Sequence, residues 1–168
     1  MEFVVGGDLK VLKRYFKETM GDLADTAERI ITQDPSHLIL WKEGEEILGH
    51  AIWHETNTEE HRAGDPRDKE DRELLEGLLG GRRNFIELHE LWLKKEYRGK
   101  GYGKRFFDFF EGFIAERGYE AIVYYTADPA AMAICRSRGY KESYGVELLT
   151  PSGEETCYIF YLQLKKGR

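Results

Sequence analysis

The sequence predicts an α/β protein in which helices flank a mixed central sheet. Short apolar runs typical of buried strands alternate along the chain with segments whose apolar residues recur at the helical period. One stretch, residues 85–113, changes from strand-like to loop-like to helix-like around a cluster of glycines. With 168 residues and 41% apolar content, the chain suits one domain with a sizeable core, so we expect residues 1–168 to form a single domain.

The first third of the chain predicts a strand, one or two helices and a hairpin. Residues 3–5 are apolar and end at a glycine pair, after which Asp8 is expected to cap a helix. Apolar residues then share helical faces over 9–16 and 23–33. Strands are expected at 37–41 and 47–54, joined by a polar turn.

Residues 55–84 are predicted to form a charged insertion between strands. From Glu55 to Glu73 there are eight acidic and four basic residues, a net charge of −4. Asp65 is expected to cap a helix with Pro66 in its first position, and a leucine stripe follows at 74–79. The segment is either a solvated connection with a docked helix, or a lid or binding-site wall whose carboxylates attract a cationic amine.

The central stretch predicts a buried strand over 85–93, a glycine loop over 98–103 and a helix from about residue 104. Glycines allow positive φ and close approach to a ligand, and the first amides of a helix have no internal partner. Such a loop can hold an anionic phosphate. Six basic residues surround it, namely Lys94, Lys95, Arg98, Lys100, Lys104 and Arg105.

Two familiar phosphate loops do not fit this stretch. The Walker pattern fails because Gly103-Lys104 is followed by Arg105, and the dinucleotide pattern GxGxxG lacks its third glycine at Lys104. Beyond the loop, residues 121–126 predict another buried strand and Asp128-Pro129 a helix start. Residues 140–150 and 155–164 predict a final hairpin around 151–154.

The pattern Arg-x-x-Gly-x-Gly, formed by Arg98, Gly101 and Gly103 after an apolar strand, resembles the pyrophosphate loop of the GNAT superfamily of N-acetyltransferases. The helix after residue 128 is similar to the family's Asn-x-x-Ala-x-x-x-Tyr-x-x-x-Gly-Phe. Asp128, Ala131, Cys135, Gly139 and Tyr140 stand at the corresponding positions. The resemblance covers roughly residues 47–164. It implies a single-domain GNAT fold in which the strand ending at Leu93 splays from strand 121–126 to admit the coenzyme.

The resemblance further implies acetyl-coenzyme A as co-substrate. The amides from Arg98 to Lys104 would receive its pyrophosphate, and its pantetheine arm would pair with open backbone near Leu91 and Leu93. The residues so implied in coenzyme binding are Leu91, Trp92, Leu93, Arg98, Gly99, Lys100, Gly101, Tyr102, Gly103, Lys104 and Asp128.

Direct acetyl transfer to an amine requires a group that accepts the amine proton. Glu87 lies eleven residues before Arg98, where some members of the family place a catalytic glutamate, and Glu90 and His89 are close alternatives. Strand alternation places Glu87 and His89 on one face and Glu90 on the other unless a bulge intervenes. Each of these side chains could instead be an exposed residue at a strand end.

The proton donor to the leaving thiolate is where the chain departs from the family. Many members have a tyrosine at the position of Cys135. Its thiol could donate a proton or could be a small buried hydrophobe. Tyr124, Tyr125 or Tyr140 could substitute.

These observations predict an N-acetyltransferase that moves an acetyl group to a primary amine, such as a polyamine, a lysine side chain or a protein N-terminus. The alternative is a non-catalytic acyl-coenzyme A-binding or regulatory domain on the same fold. Without CxxC, HExxH or a calcium loop, we expect no metal, and free, buried cysteines at 135 and 157.

The net charge of −6 argues against nucleic-acid binding. The sequence shows no signal peptide and no apolar stretch long enough to span a membrane, so we expect a cytoplasmic protein with no membrane partner. The aromatic residues at 158–161 could support a homodimer.

Overall fold

The computed structural model of the protein describes residues 1–61, 63–64, 67–143, 146–150 and 153–164. The expected helix start at Asp65-Pro66 and the expected turn residues Pro151-Ser152 lie outside this range. The chain forms two compact units. The first unit comprises residues 1–54 and 88–109, and the second comprises residues 55–87 and those from 110 onward.

In the first unit, four strands are neighbours in sequence order, and two helices follow the first strand. The strands are β1 (Glu2–Val5), β2 (Leu38–Glu43), β3 (Glu46–Asn57) and the second half of β4 (Asn84–Leu93); the helices are α1 (Leu9–Thr19) and α2 (Asp25–Gln33). The Asp8 side chain accepts a hydrogen bond from the Lys10 amide at 2.7 Å, which confirms the predicted cap of α1.

The core of the first unit follows from the amphipathic patterns of α1 and α2. Their apolar faces pack on β2 and β3, with Leu12, Leu38 and Ile52 fully buried. Residue 49 must be glycine for steric reasons, because a Cβ there would lie 2.5 Å from the carbonyl oxygen of Trp92. This close approach brings β3 and the end of β4 together.

The second unit contains the insertion and the C-terminal part of the chain. Its further elements are α3 (Asp68–Leu79), the second half of α4 (Tyr102–Glu116), β5 (Ala121–Thr126), α5 (Pro129–Ser137), β6 (Lys141–Glu142), β7 (Val146–Thr150) and β8 (Gly153–Gln163). β8 pairs antiparallel with β5, β6 and β7. Leu75 and Leu79 of α3 pack with residues of β4, β5 and β8, so the insertion carries a docked helix, one of the two alternatives above.

The structure confirms the predicted α/β class with its mixed sheet, while the single-domain organisation and the splay of β4 stay predictions. One element differs from expectation, because the strand predicted over 140–150 is interrupted. Ser143 exchanges two hydrogen bonds with Ile159, and one of them uses its side-chain oxygen, which ends β6. Among the described helices, none has the length and apolar character needed to cross a membrane.

Candidate active site

The predicted coenzyme loop lies between β4 and α4, after a short 3-10 turn at Lys95–Tyr97. Gly99 and Gly101 have φ angles of 74° and 82°, and a Cβ built on either would meet nothing within 4 Å. Glycine is therefore favoured here by backbone conformation and not by space. Gly103 lies within the first turn of α4, where the helix amides lack internal acceptors.

One of the amides predicted to bind the pyrophosphate has a partner within the protein. The Arg98 amide donates to the carbonyl oxygen of Lys95 at 3.2 Å, so it is already used. The amides that can face an anion start at Gly99. Lys100 and Lys104 are both exposed and add positive charge to the same short segment.

The Arg98 side chain folds back onto the end of β4. Its Nε donates to the carbonyl oxygen of Leu93 at 2.9 Å, and its guanidinium lies 5.4 Å from the centre of the Trp92 ring. The backbone edge expected to be open at Leu93 thus has a partner already. Arg98 braces the strand end against the loop, a role that its motif position alone does not reveal.

The catalytic candidate Glu90 is joined to two side chains that the sequence did not single out. Its carboxylate is hydrogen-bonded to Nε2 of His50 on β3, and Nδ1 of the same ring lies 3.2 Å from the Tyr15 hydroxyl on α1. The His50 side chain is fully buried, whereas 36% of the Glu90 side chain is exposed. The carboxylate, imidazole and hydroxyl form a chain whose outer end is accessible.

The charge state of this chain follows from its surroundings. Burial raises the pKa of Glu90, but the hydrogen bond from His50 and the charges of His50 and His89 outweigh it, so that the pKa is lowered overall. Burial and the charge of Glu90 raise the pKa of Tyr15, against the opposing effect of Arg98. At neutral pH Glu90 is therefore ionised and Tyr15 is a neutral phenol.

Aromatic rings surround the buried part of this chain. Trp92 lies two residues beyond Glu90 on the same strand face and is half-buried. Its ring centre is 5.9 Å from that of Tyr15 and 6.2 Å from that of His50. The buried part of the chain is thus packed among aromatic rings, one of which lies on the same strand face as Glu90.

Glu87 lies in the second unit and has a different environment. Only 8% of the residue is exposed, which shows that the strand-end alternative is wrong for Glu87. Its Oε2 is 2.9 Å from Nε2 of His61, a residue of the insertion. The His61 ring lies 5.1 Å from the ring of Tyr125, whose hydroxyl donates to Asp71 at 2.7 Å.

Cys135 is completely buried in the second unit, and Cys157 is buried as well; neither forms a disulfide, as predicted. Burial, reinforced by the charge of Glu111, raises the pKa of Cys135 to about 12. The hydroxyl of Tyr140, the alternative proton donor, donates a 2.8 Å hydrogen bond to Glu111. Neither group is placed as an accessible acid.

Asp128 caps α5, as predicted, because its Oδ2 accepts from the Ala131 amide at 3.0 Å. Its expected part in coenzyme binding stays a prediction. The sequence reasoning missed Tyr15 and His50, which it places on an apolar helix face and in a hairpin strand. The available signal was an imidazole inside an otherwise apolar strand, which requires polar partners once buried.

Comparison with known proteins identifies the class. The chain matches the model of the Acetyltransferase (GNAT) family over residues 9–140, and enzymes of this kind are acetyltransferases that use acetyl-coenzyme A. Since this match covers most of the sequence, the chain belongs to the GNAT family. No curated protein matches the chain by sequence.

Solved structures of N-acetyltransferases share the fold at low sequence identity. An agmatine N-acetyltransferase has a TM-score of 0.68 at 12% identity, over 97% of this chain and 100% of that chain. The ribosomal-protein-S18-alanine N-acetyltransferase of Escherichia coli has a TM-score of 0.66 at 12% identity, with 99% and 96% covered. Arylalkylamine N-acetyltransferase 2 of Aedes aegypti has 0.67 at 14%, with 98% and 99% covered. These likenesses establish the fold and leave the acceptor open.

Proposed function

We propose that this acetyltransferase moves the acetyl group of acetyl-coenzyme A directly to a primary amine that carries a positive charge, with Glu90 accepting the amine proton. The observation that carries the proposal is Glu90 itself. It is ionised, partly exposed and fixed by His50 on the strand that leads into the glycine loop. A persistent negative charge at that place favours an ammonium group.

The loop supports the coenzyme part of the proposal. Gly99 and Gly101 hold positive φ, the amides after Arg98 precede the N-terminus of α4, and Lys100 and Lys104 are exposed. Backbone donors, a helix N-terminus and two cations are the groups that bind a diphosphate. These residues therefore fit the pyrophosphate of coenzyme A.

The ammonium loses one proton to Glu90, and the neutral nitrogen then bonds to the thioester carbonyl carbon. As the carbon–sulfur bond breaks, the nitrogen releases its second proton to water, and the products are an amide and a thiolate that then takes up a proton. For the donor of that last proton, Cys135 is disfavoured, since a thiol with a pKa of about 12 gives its proton reluctantly to a thiolate of about 8.5. Water is the donor we propose.

The acceptor class is tested by measuring thiol release and the acetylated product by mass spectrometry over a panel of amines. The panel holds a polyamine, an arylalkylamine, a peptide with a free N-terminus, a peptide with only a lysine amine, and a neutral alcohol as blank. We expect turnover with at least one cationic amine. Tight acetyl-coenzyme A binding with no turnover would instead establish the non-catalytic binding domain.

The coenzyme loop is tested with a matched pair of glycine variants. Gly101→Ala and Gly44→Ala both place a methyl group at positive φ in open space, so they carry similar backbone strain. Titration calorimetry should show acetyl-coenzyme A binding weakened about tenfold by Gly101→Ala, a loss of the size of one strained or lost contact, and unchanged by Gly44→Ala. Equal affinities in the two variants would contradict the loop assignment.

A further inference from the structure

The chain of three side chains in the first unit has a directional order. An ionised carboxylate only accepts hydrogen bonds, so the bond between Glu90 and His50 requires the hydrogen on Nε2 of the imidazole. In the neutral ring, Nδ1 is then an acceptor, and the Tyr15 hydroxyl 3.2 Å away is its donor. In that tautomer, each hydrogen bond points from α1 through β3 to β4.

The burial of these groups requires that both nitrogens of the His50 ring have a partner. His50 is 0% exposed and Tyr15 is 5% exposed, so water cannot replace either partner. An imidazole inside a protein with one unsatisfied nitrogen would be strongly disfavoured. Phe16 and Trp92 enclose the ring on its apolar faces, with ring centres 4.9 Å and 6.2 Å from that of His50.

We propose that His50 and Tyr15 are positioning residues for acetyl transfer: Tyr15 fixes the His50 ring with its Nε2 hydrogen toward β4, and His50 holds the Glu90 carboxylate charged and aimed at the acceptor amine. The inference builds on the proposed function, because it assigns a supporting role to two residues around the proton acceptor. The arrangement places hydroxyl, imidazole and carboxylate in the order found in hydrolase triads, but here the carboxylate is the exposed end.

Two side chains act electrostatically on the Glu90 carboxyl, His50 on β3 and His89 on β4. Glu90 itself acts on Tyr15 of α1, where the charge of Arg98 opposes it. Of these, His50 alone has a hydrogen bond to the carboxylate among the described residues. Its removal should therefore raise the pKa of Glu90, because burial continues to disfavour the charged form.

The test combines a measurement that needs no turnover with one that does. Carbon-13 NMR of the labelled protein follows the Glu90 carboxyl through its titration in wild type, His50→Leu, His50→Gln and Tyr15→Phe. Nitrogen-15 NMR reads which nitrogen of His50 carries the hydrogen. The same four proteins give kcat/KM as a function of pH with the best amine of the panel.

We expect the Nε2–H form of His50 in wild type and a Glu90 titration that moves to higher pH in His50→Leu. His50→Gln retains an N–H donor and should recover part of that change. The acid limb of kcat/KM should move upward in parallel. Loss of kcat/KM at neutral pH should be about 10- to 100-fold for His50→Leu and about 3- to 10-fold for Tyr15→Phe.

His37→Gln and Tyr119→Phe serve as controls, since they remove an imidazole and a hydroxyl elsewhere and should leave both readouts unchanged. A Glu90 titration unaltered in His50→Leu, or an Nδ1–H tautomer in wild type, would overturn the inference. If His50→Leu does not fold, His50→Gln and Tyr15→Phe decide by the same criteria. Failure of the proposed function can be distinguished from failure of this inference, because the wild-type protein would then release no thiol with any amine.

Discussion

Two glutamates, Glu111 in the second unit and Glu90 in the first, show how similar residues can serve opposite purposes. Glu111 on α4 accepts both arms of the Arg138 guanidinium, at 2.8 and 2.7 Å, together with the Tyr140 hydroxyl. Only 16% of its side chain is exposed. Glu90 has one imidazole partner and 36% of its side chain exposed.

The two carboxylates differ in the side chain that binds them, which is an arginine for Glu111 and a histidine for Glu90. Arginine is permanently charged and its planar fork occupies both carboxylate oxygens, so Glu111 has little capacity left for a ligand. Histidine occupies one oxygen of Glu90 and leaves the other available. The Glu111 cluster therefore stabilises the junction of α4 with the end of α5, whereas the Glu90 chain presents a charge to solvent.

The largest expected effect is on activity and belongs to Glu90. Glu90→Gln keeps the shape but removes the proton acceptor, so kcat/KM should fall by about 10²- to 10⁴-fold, the usual contribution of a general base. Acetyl-coenzyme A affinity, measured by calorimetry, should not change. Glu111→Gln, assayed at a temperature where it is folded, should retain activity within about threefold. Equal losses of kcat/KM in both variants would contradict the proposal that Glu90, and not Glu111, accepts the proton.

Glu87→Gln extends this comparison to the second predicted glutamate. Because Glu87 is buried against His61, we expect a loss of stability and a decrease in kcat/KM of less than about tenfold, as for a residue outside the proton transfer. The measurement is steady-state kinetics beside urea denaturation. A loss of activity larger than that of Glu90→Gln would transfer the role of proton acceptor to Glu87.

The next effect is on stability and belongs to Glu111. Its replacement by Gln removes the negative charge that accepts both arms of the partly buried Arg138 guanidinium, which should lower the free energy of unfolding by about 2–4 kcal/mol. Urea denaturation measures this change. The matched control is Glu142→Gln, which breaks the exposed pair with Arg136 and should cost less than about 1 kcal/mol.

The sequence predicted the parts of the molecule that depend on local pattern. The glycine loop, the Asp8 and Asp128 caps and the buried cysteines all follow from neighbouring residues. The chain from Tyr15 to Glu90 does not, because its residues are 35 and 40 positions apart and meet only when α1, β3 and β4 pack. For the same reason, spacing along β4 could not distinguish the environments of Glu87 and Glu90.

Cys135 gives a smaller effect and tests whether the second unit contributes an acid. Its pKa of about 12 keeps the thiol protonated across the assay range, so Cys135→Ala should leave the rate and the basic limb of the pH profile unchanged. The small cavity should cost about 1 kcal/mol of stability. A reduced rate with a displaced basic limb would instead make the thiol the donor to the leaving group.

The smallest effect is the contribution of Glu90 to stability as pH changes. Its pKa is lowered in the folded state, so its stabilising effect is present above the unfolded value and is lost as pH falls through the folded value. The difference in unfolding free energy between wild type and Glu90→Gln should therefore shrink from pH 7 to pH 3. The change should be less than about 1 kcal/mol, because the side chain is 36% exposed and solvent screens its interactions.

Glu45→Gln, in the exposed turn between β2 and β3, controls for the loss of one negative charge. If this difference in unfolding free energy grew toward low pH instead, Glu90 would be protonated in the folded protein. It could then not be the proton acceptor.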